Sequence, residues 1–188
     1  MSPGLLPFVM LGIPHPDPLT WYAQAVILGV STGLAIFALK RAELFLREGE
    51  RGWTTSVVSY LVITMTMFLV FPAQPEMGMA VTIIIAFGDG AATLVGMLAQ
   101  GRRLPWNSDK SWAGLGAFLL CSIPPAALVY WVEARPEISA SVALACVVPA
   151  ALSAALVESL HIAVNDNIRV GTTAALVILL TQWVFVGL

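Results

Sequence analysis

Charge is what this sequence has least of. Its 188 residues include 9 Lys or Arg and 11 Asp or Glu, so 11% are charged, against about a quarter in soluble domains. A net charge of −2 gives no field to draw in a polyanion, which excludes a nucleic-acid-binding domain. Disorder is excluded as well, because 59% of the residues are hydrophobic and the mean hydropathy is +0.88. Cysteine is also scarce. Cys121 and Cys146 both lie inside apolar runs, offer neither a disulfide framework nor metal-ligand spacing, and read as small hydrophobes. The two histidines, His15 and His161, lack metal spacing too and read as structural. The first 18 residues have no basic run and carry Pro3, Pro7, Pro14, Pro16 and Pro18. They are expected to form an irregular lead-in rather than a cleavable signal peptide. No internal repeat or low-complexity tract is visible.

What the sequence has in abundance is apolar length. Six stretches stand out: 19–39, 53–71, 77–99, 111–132, 138–160 and 170–186. Each is near the ~20 residues that a membrane crossing needs. The predicted fold class is therefore all-α, a polytopic membrane protein built as a bundle of about six transmembrane helices, with residues 1–188 forming one domain. Placing both termini outside puts Lys40, Arg41, Arg47, Arg51, Arg102, Arg103, Lys110 and Arg169 on the cytoplasmic side and leaves only Arg135 outside. That asymmetry sets the expected orientation. Most of the six tryptophans fall near the ends of the stretches, where an aromatic belt belongs. The expected location is a bacterial inner membrane.

Charges inside the apolar stretches need a reason, since one at mid-helix costs about 2.5 to 3.5 kcal/mol. Asp89 is the clearest case, flanked by Val81 to Phe87 and by Ala91 to Ala99. Gly88, Ala92 and Gly96 recur every four residues and form a small stripe for close helix packing. Asp89 and Thr93 lie on the adjacent stripe, and Gly88 and Gly90 weaken the helix there. A structural aspartate bonded to a neighbouring helix is the plainer alternative. The next loop contains Asn107, Ser108 and Asp109, all good N-caps, which would put Lys110 and Ser111 in the first turn of the fourth span. A helix N-terminus with a lysine beside it can hold phosphate oxygens, although a capped, positively charged loop needs no ligand. Glu158 at the end of the fifth stretch and Asp166 before the sixth fall toward the same membrane face as Asp89. Capping of its own helix is the plainer alternative for Asp166. Carboxylates plus a helix-terminal lysine are the parts that hold Mg²⁺ and a nucleoside triphosphate.

Three stretches together resemble the polyprenol and phytol kinase family, which includes dolichol kinases and CTP-dependent diacylglycerol kinases. Phytol kinases are the most similar. The stretches are Gly88-Asp89-Gly90-Ala91-Ala92 with Gly96, then Leu104-Pro105-Trp106-Asn107 with Lys110-Ser111-Trp112-Ala113-Gly114, and finally Val157-Glu158-Ser159-Leu160 followed by Asp166-Asn167. The resemblance runs from about residue 86 to the C-terminus, with the motifs concentrated in 86–170. It implies transfer of the γ-phosphoryl group of CTP, or another nucleotide, to a long-chain isoprenoid alcohol dissolved in the membrane, with Mg²⁺ as cofactor. The implied catalytic residues are Asp89, Lys110, Glu158 and Asp166, with Asp89 and Asp166 on the metal. Gly88, Gly90, Gly96, Asn107, Lys110, Ser111, Gly114 and Asn167 are the implied nucleotide and phosphate residues. Membrane lipids and a second copy of the chain are the expected partners. The sequence departs from the family pattern at Thr93, where an acidic or small polar residue is usual, and at Met97, where a basic residue is usual. It also departs at His161, in the place of a proline, and in a Gly96–Gly101 interval one residue longer than usual. Two other readings compete. A CDP-lipid synthase shares the aspartate–glycine–lysine–serine pattern but carries a later histidine–glycine signature that is missing after His161. A small ion-coupled transporter would explain Asp89 but not the Lys110 loop.

Overall fold

The computed structural model describes residues 2–41, 53–99 and 101–187. A 3₁₀ turn at Ser2–Leu5 leads into α1 (Leu6–Leu11), followed by α2 (Trp21–Lys40), α3 (Trp53–Val70), α4 (Pro75–Leu98), α5 (Trp112–Glu133), α6 (Ala140–Ser159) and α7 (Asp166–Phe185). Helices α2 and α4 to α7 are long and apolar enough to cross a membrane, while the apolar part of α3, Thr54–Val70, is shorter. The molecule is thus an all-α, membrane-type helical bundle, and these six helices fall on the six apolar stretches of the sequence. The last begins at Asp166 rather than near Val170, because the Asn165 side chain accepts the Asn167 N–H and caps it. The lead-in is not irregular throughout. Pro7 sits in the first turn of α1, where its missing N–H costs nothing, and Pro7 and Met10 are buried.

Helix α4 is the centre of the bundle. Every residue from Pro75 to Ile83 is buried, as expected of a helix that is apolar on all sides and surrounded by others. On α6, Ala143, Val147, Ala150, Ala151, Ala154 and Ala155 are all buried. Their spacing makes one face, and their small side chains let α7 approach closely through Val170, Gly171 and Ala174. Glu158 follows Ala151 by seven residues and Ala154 by four, so the same buried face carries it to the end of α6. The outward faces are apolar: Leu120 is 78% exposed, Val26 65% and Trp183 66%. Such a surface suits lipid, not water.

Near its middle, α4 changes geometry. Ile84–Asp89 is a π-helical segment between the α-helical halves Pro75–Ile83 and Gly90–Leu98. Two glycines with low helix propensity flank Asp89. Gly88 is also needed for contact, since a Cβ there would lie 2.6 Å from the buried ring of Phe118 on α5. One turn of π-helix shifts the register of everything after it, and such turns often occur where a helix carries a functional group.

Lys40, Arg41, Arg102, Arg103, Lys110 and Arg169 lie at one end of the bundle, and Arg135 lies at the other, at the end of α5. Arg47 and Arg51 fall outside the described residues.

Candidate functional site

The chain between α4 and α5 makes a small antiparallel ribbon, β1 (Arg103–Leu104) and β2 (Asn107–Ser111). The fourth span begins at Trp112, close to the expected Ser111, but its expected cap and first turn are corrected. Asn107, Ser108 and Asp109 do not cap α5. Ser111 does, accepting the Gly114 N–H at 3.1 Å, and Lys110 stands just outside the helix on the strand. The reason lies in what Asn107 does. Its amide donates to the Ser159 carbonyl at 3.0 Å, and its side-chain oxygen accepts the Asp109 N–H at 3.0 Å. The Trp106 indole N–H donates to Ser159 Oγ at 3.0 Å. These bonds pin the ribbon to the end of α6 and keep the chain extended until Ser111.

Pinned in this way, Lys110 reaches the carboxylates. Its ammonium pairs with Glu158, which is 2% exposed, and lies 3.5 Å from Asp166 Oδ2. Asp89, Glu158 and Asp166 each offer a carboxylate oxygen, and those three atoms lie within 4.8 Å of one another. Three hard oxygen donors at that spacing fit Mg²⁺ or a similar divalent cation. Burial pulls the Lys110 pKa down, but Glu158 first, with Asp166 and Asp89 behind it, outweighs that effect and holds it above the ordinary lysine value. The lysine therefore stays charged.

Two cavities meet at this point. One, of ≈ 560 Å³, lies between α4, α5 and the ribbon, and is lined by Gly96, Met97, Arg103, Ser111, Gly114 and Glu158 among others. The second, of ≈ 310 Å³, is polar throughout, lined by Ser56, Asp89, Asn165, Asp166 and Asn167. Thr93 and Lys110 line both. The close crossing of α4 and α5 shapes the first: a Cβ on Gly114 would meet the Ala92 carbonyl oxygen at 2.9 Å.

Of the residues singled out in the sequence, the structure brings Asp89, Lys110, Glu158 and Asp166 together, with Gly96, Ser111 and Gly114 on the wall of the larger cavity and Asn167 on the smaller. Gly88, Gly90 and Asn107 line neither of these two. Gly88 is spent on Phe118 and Asn107 on Ser159. Asn165, not Asp166, caps α7, and Ser59 of α3 donates to the same Asn165 oxygen at 2.7 Å. Asn167 donates to the Ser56 carbonyl at 2.8 Å, so α3 closes one side of the site. His15 Nε2 lies 3.0 Å from Glu133 Oε1 at the far end of the bundle. His161 lies 3.9 Å from Asp109, and both side chains are open to solvent. Sequence reasoning missed Asn165 and Arg169. The signal for Arg169 was its position three residues after Asp166 on one helix, where the two side chains are neighbours.

No family model and no solved structure matches the chain. Curated proteins do. A protein of Triticum aestivum named as a probable phytol kinase, chloroplastic, is 30% identical over 138 residues, covering 70% of this chain and 46% of that protein. The farnesol kinase, chloroplastic, of Arabidopsis thaliana is 30% identical over 136 residues, 69% of this chain and 44% of its own length. A probable phytol kinase 1, chloroplastic, of Oryza sativa subsp. japonica is 28% identical over 116 residues, 59% and 37% of the two chains. The chain thus spans less than half the length of these relatives. Their names place them in plant chloroplasts and give no support to a bacterial inner membrane for this protein; what its apolar helices indicate is a membrane. The motifs around Asp89, Lys110 and Glu158 and these identities agree, and the chain is related by sequence to the phytol and polyprenol kinase family.

Proposed function

We propose that the chain is a membrane-embedded kinase domain, with its catalytic region in 86–170, that transfers the γ-phosphoryl group of CTP or another nucleoside triphosphate to a long-chain isoprenoid alcohol. The observation that carries this reading is the convergence of Asp89, Glu158 and Asp166 beside a charged lysine, where two cavities share a wall. A phosphoryl transfer needs that arrangement: two substrates side by side, and positive charge over the phosphates between them.

The alcohol oxygen attacks the γ-phosphorus, the bond from that phosphorus to the bridging oxygen breaks, and the nucleoside diphosphate leaves. The hydroxyl proton passes to a carboxylate, for which Glu158 is the assigned acceptor. Lys110 turns from Glu158 toward the phosphates when the nucleotide enters. Its tether to the ribbon keeps it within reach of both cavities. Asp89 and Asp166 would hold Mg²⁺, with Glu158 close enough to join them, and the bound ion would neutralise phosphate charge. The isoprenoid tail stays among the apolar outer faces, and the site-bearing end of the bundle faces the compartment that holds the nucleotide, with α2 beginning and α7 ending on the opposite side; the turn at Ser2–Leu5 instead reaches back into the bundle, where Gly4 packs against Ala86 and Phe87.

The test is transfer of label from γ-labelled CTP, ATP or UTP into organic-extractable lipid by the purified chain in lipid vesicles, over phytol, geranylgeraniol, farnesol, dolichol and diacylglycerol. A labelled alkyl monophosphate supports the reading. A CDP-lipid product identifies a cytidylyltransferase instead, and ion uptake without nucleotide consumption identifies a transporter.

A further inference from the structure

We infer that Arg169 is a positioning residue of this site. The inference rests on the reading of the three carboxylates as a divalent-cation site. Arg169 lies on the first turns of α7, and its side chain is only 9% exposed, uncommon for an arginine at the end of a membrane helix. One guanidinium nitrogen pairs with Asp166 Oδ1. The other donates to two carbonyls at the end of α6, Val157 at 3.0 Å and Leu160 at 3.2 Å. A planar fork with fixed donors suits this task, and a lysine could not reproduce it.

The geometry gives the arginine a specific effect. Residues 160–164, which join α6 to α7, are all exposed. Glu158 stands before that turn and Asp166 after it. Arg169 ties the two sides together: it holds the last carbonyls of α6 directly and fixes the rotamer of Asp166 through one of its oxygens. The second oxygen, Oδ2, is left facing Lys110 at 3.5 Å, on the side where Asp89 and Glu158 converge. On the other flank Asn107 and Trp106 hold Ser159. The end of α6 is therefore clamped from both directions, and the spacing of the three carboxylates depends on the clamp.

The opposite expectation is equally definite, which makes the inference testable. A cation beside an acidic cluster repels a divalent ion, so by charge alone its removal tightens metal binding. By positioning, its removal weakens binding, and outer-shell partners of metal ligands typically contribute 10- to 100-fold in affinity. The experiment is titration of the purified full chain in detergent with Mn²⁺, with free ion read by electron paramagnetic resonance, for wild type, Arg169→Gln, Arg169→Lys and Arg102→Gln. Arg102→Gln removes a positive charge from the exposed loop at the same end. The expected result is a Kd about tenfold weaker for Arg169→Gln, a smaller weakening for Arg169→Lys, and little change for Arg102→Gln. Binding by Arg169→Gln that is unchanged or tighter overturns the inference. Should Arg169→Gln not fold, as judged by gel filtration, Arg169→Lys decides: weaker binding upholds the clamp and wild-type affinity overturns it. Failure of wild type itself to bind Mn²⁺ removes the metal reading and the inference with it, and is distinct from failure in the variants alone.

Discussion

Replacing Lys110 by methionine is expected to destabilise the fold far more than loss of a surface charge does, and a second substitution should restore part of the loss. Glu158 is 2% exposed and its only cation partner among the described residues is Lys110, whose side chain is 30% exposed. Lys110→Met leaves a buried carboxylate without that partner, next to Asp89 and Asp166, whose charges repel it. Breaking a buried pair in this way costs about 3 to 5 kcal/mol, and the partial exposure of the lysine places this case near the lower bound, ~3 kcal/mol. Glu158→Gln is milder, about 1 kcal/mol, because Lys110 still has Asp166 at 3.5 Å. The double variant lacks the uncompensated charge, so its loss falls below the sum of the two by roughly 2 kcal/mol. At about 2 to 4 °C per kcal/mol for a chain of this size, Lys110→Met lowers the melting midpoint by ~6 to 12 °C, and adding Glu158→Gln recovers ~2 to 4 °C instead of lowering it further. Tryptophan fluorescence of the detergent-solubilised protein during heating reads both shifts. The sign with pH follows from the raised Lys110 pKa. Stability from a raised lysine is complete below its unfolded value of ~10.5 and is lost only as pH climbs through the folded value, so the difference between wild type and Lys110→Met does not shrink as pH rises from 6 to 9. Additive effects of the two substitutions, or a difference that fades between pH 6 and 9, would refute the reasoning.

Other outcomes follow from the same geometry. Gly88→Ala drives a Cβ to 2.6 Å from the buried Phe118 ring and is expected to cost about 1 to 3 kcal/mol, read as a lower melting midpoint. Gly114→Ala meets backbone, the Ala92 carbonyl oxygen at 2.9 Å, which cannot rotate aside; it should reduce transfer activity together with stability, because it spreads α4 from α5 at the wall of the larger cavity. Ser59→Ala removes the donor to Asn165 and is expected to cost about 1 kcal/mol, with the exposed turn after Ser159 becoming more open to hydrogen exchange.

How much of this was legible in the sequence depends on the type of signal. Helix positions were, because an apolar run of ~20 residues has few alternatives in a membrane, and α4 to α7 start and stop within a few residues of the expected places. The carboxylate cluster was legible in its members: Asp89 was conspicuous as a charge in an apolar run, and Glu158 and Asp166 fell toward the same face. Their spacing was not legible, because it depends on the pinning of Asn107 to Ser159 across 52 residues. That contact also turns Lys110 into a strand residue, where the local pattern of Asn107, Ser108 and Asp109 suggested a helix cap. Long-range hydrogen bonds leave no periodicity. The same is true of the π-helical turn: glycines on both sides of Asp89 announce a weak helix, but the contact that requires Gly88 is with Phe118 on another helix, 30 residues away. Arg169 was read as one more loop cation, since a count of charges for orientation does not distinguish a solvated arginine from one clamped between helix ends.

The central claim is that Asp89, Lys110, Glu158 and Asp166 transfer a phosphoryl group to a lipid alcohol. Its most direct measurement is label transfer from γ-labelled nucleotide into extracted lipid by wild type and by Asp89→Asn, purified and reconstituted side by side. The account predicts a labelled isoprenoid monophosphate from wild type and a rate at least about a hundredfold lower from the variant. Equal transfer by both would contradict it, as would no transfer by a folded wild-type chain with any nucleotide and alcohol tried.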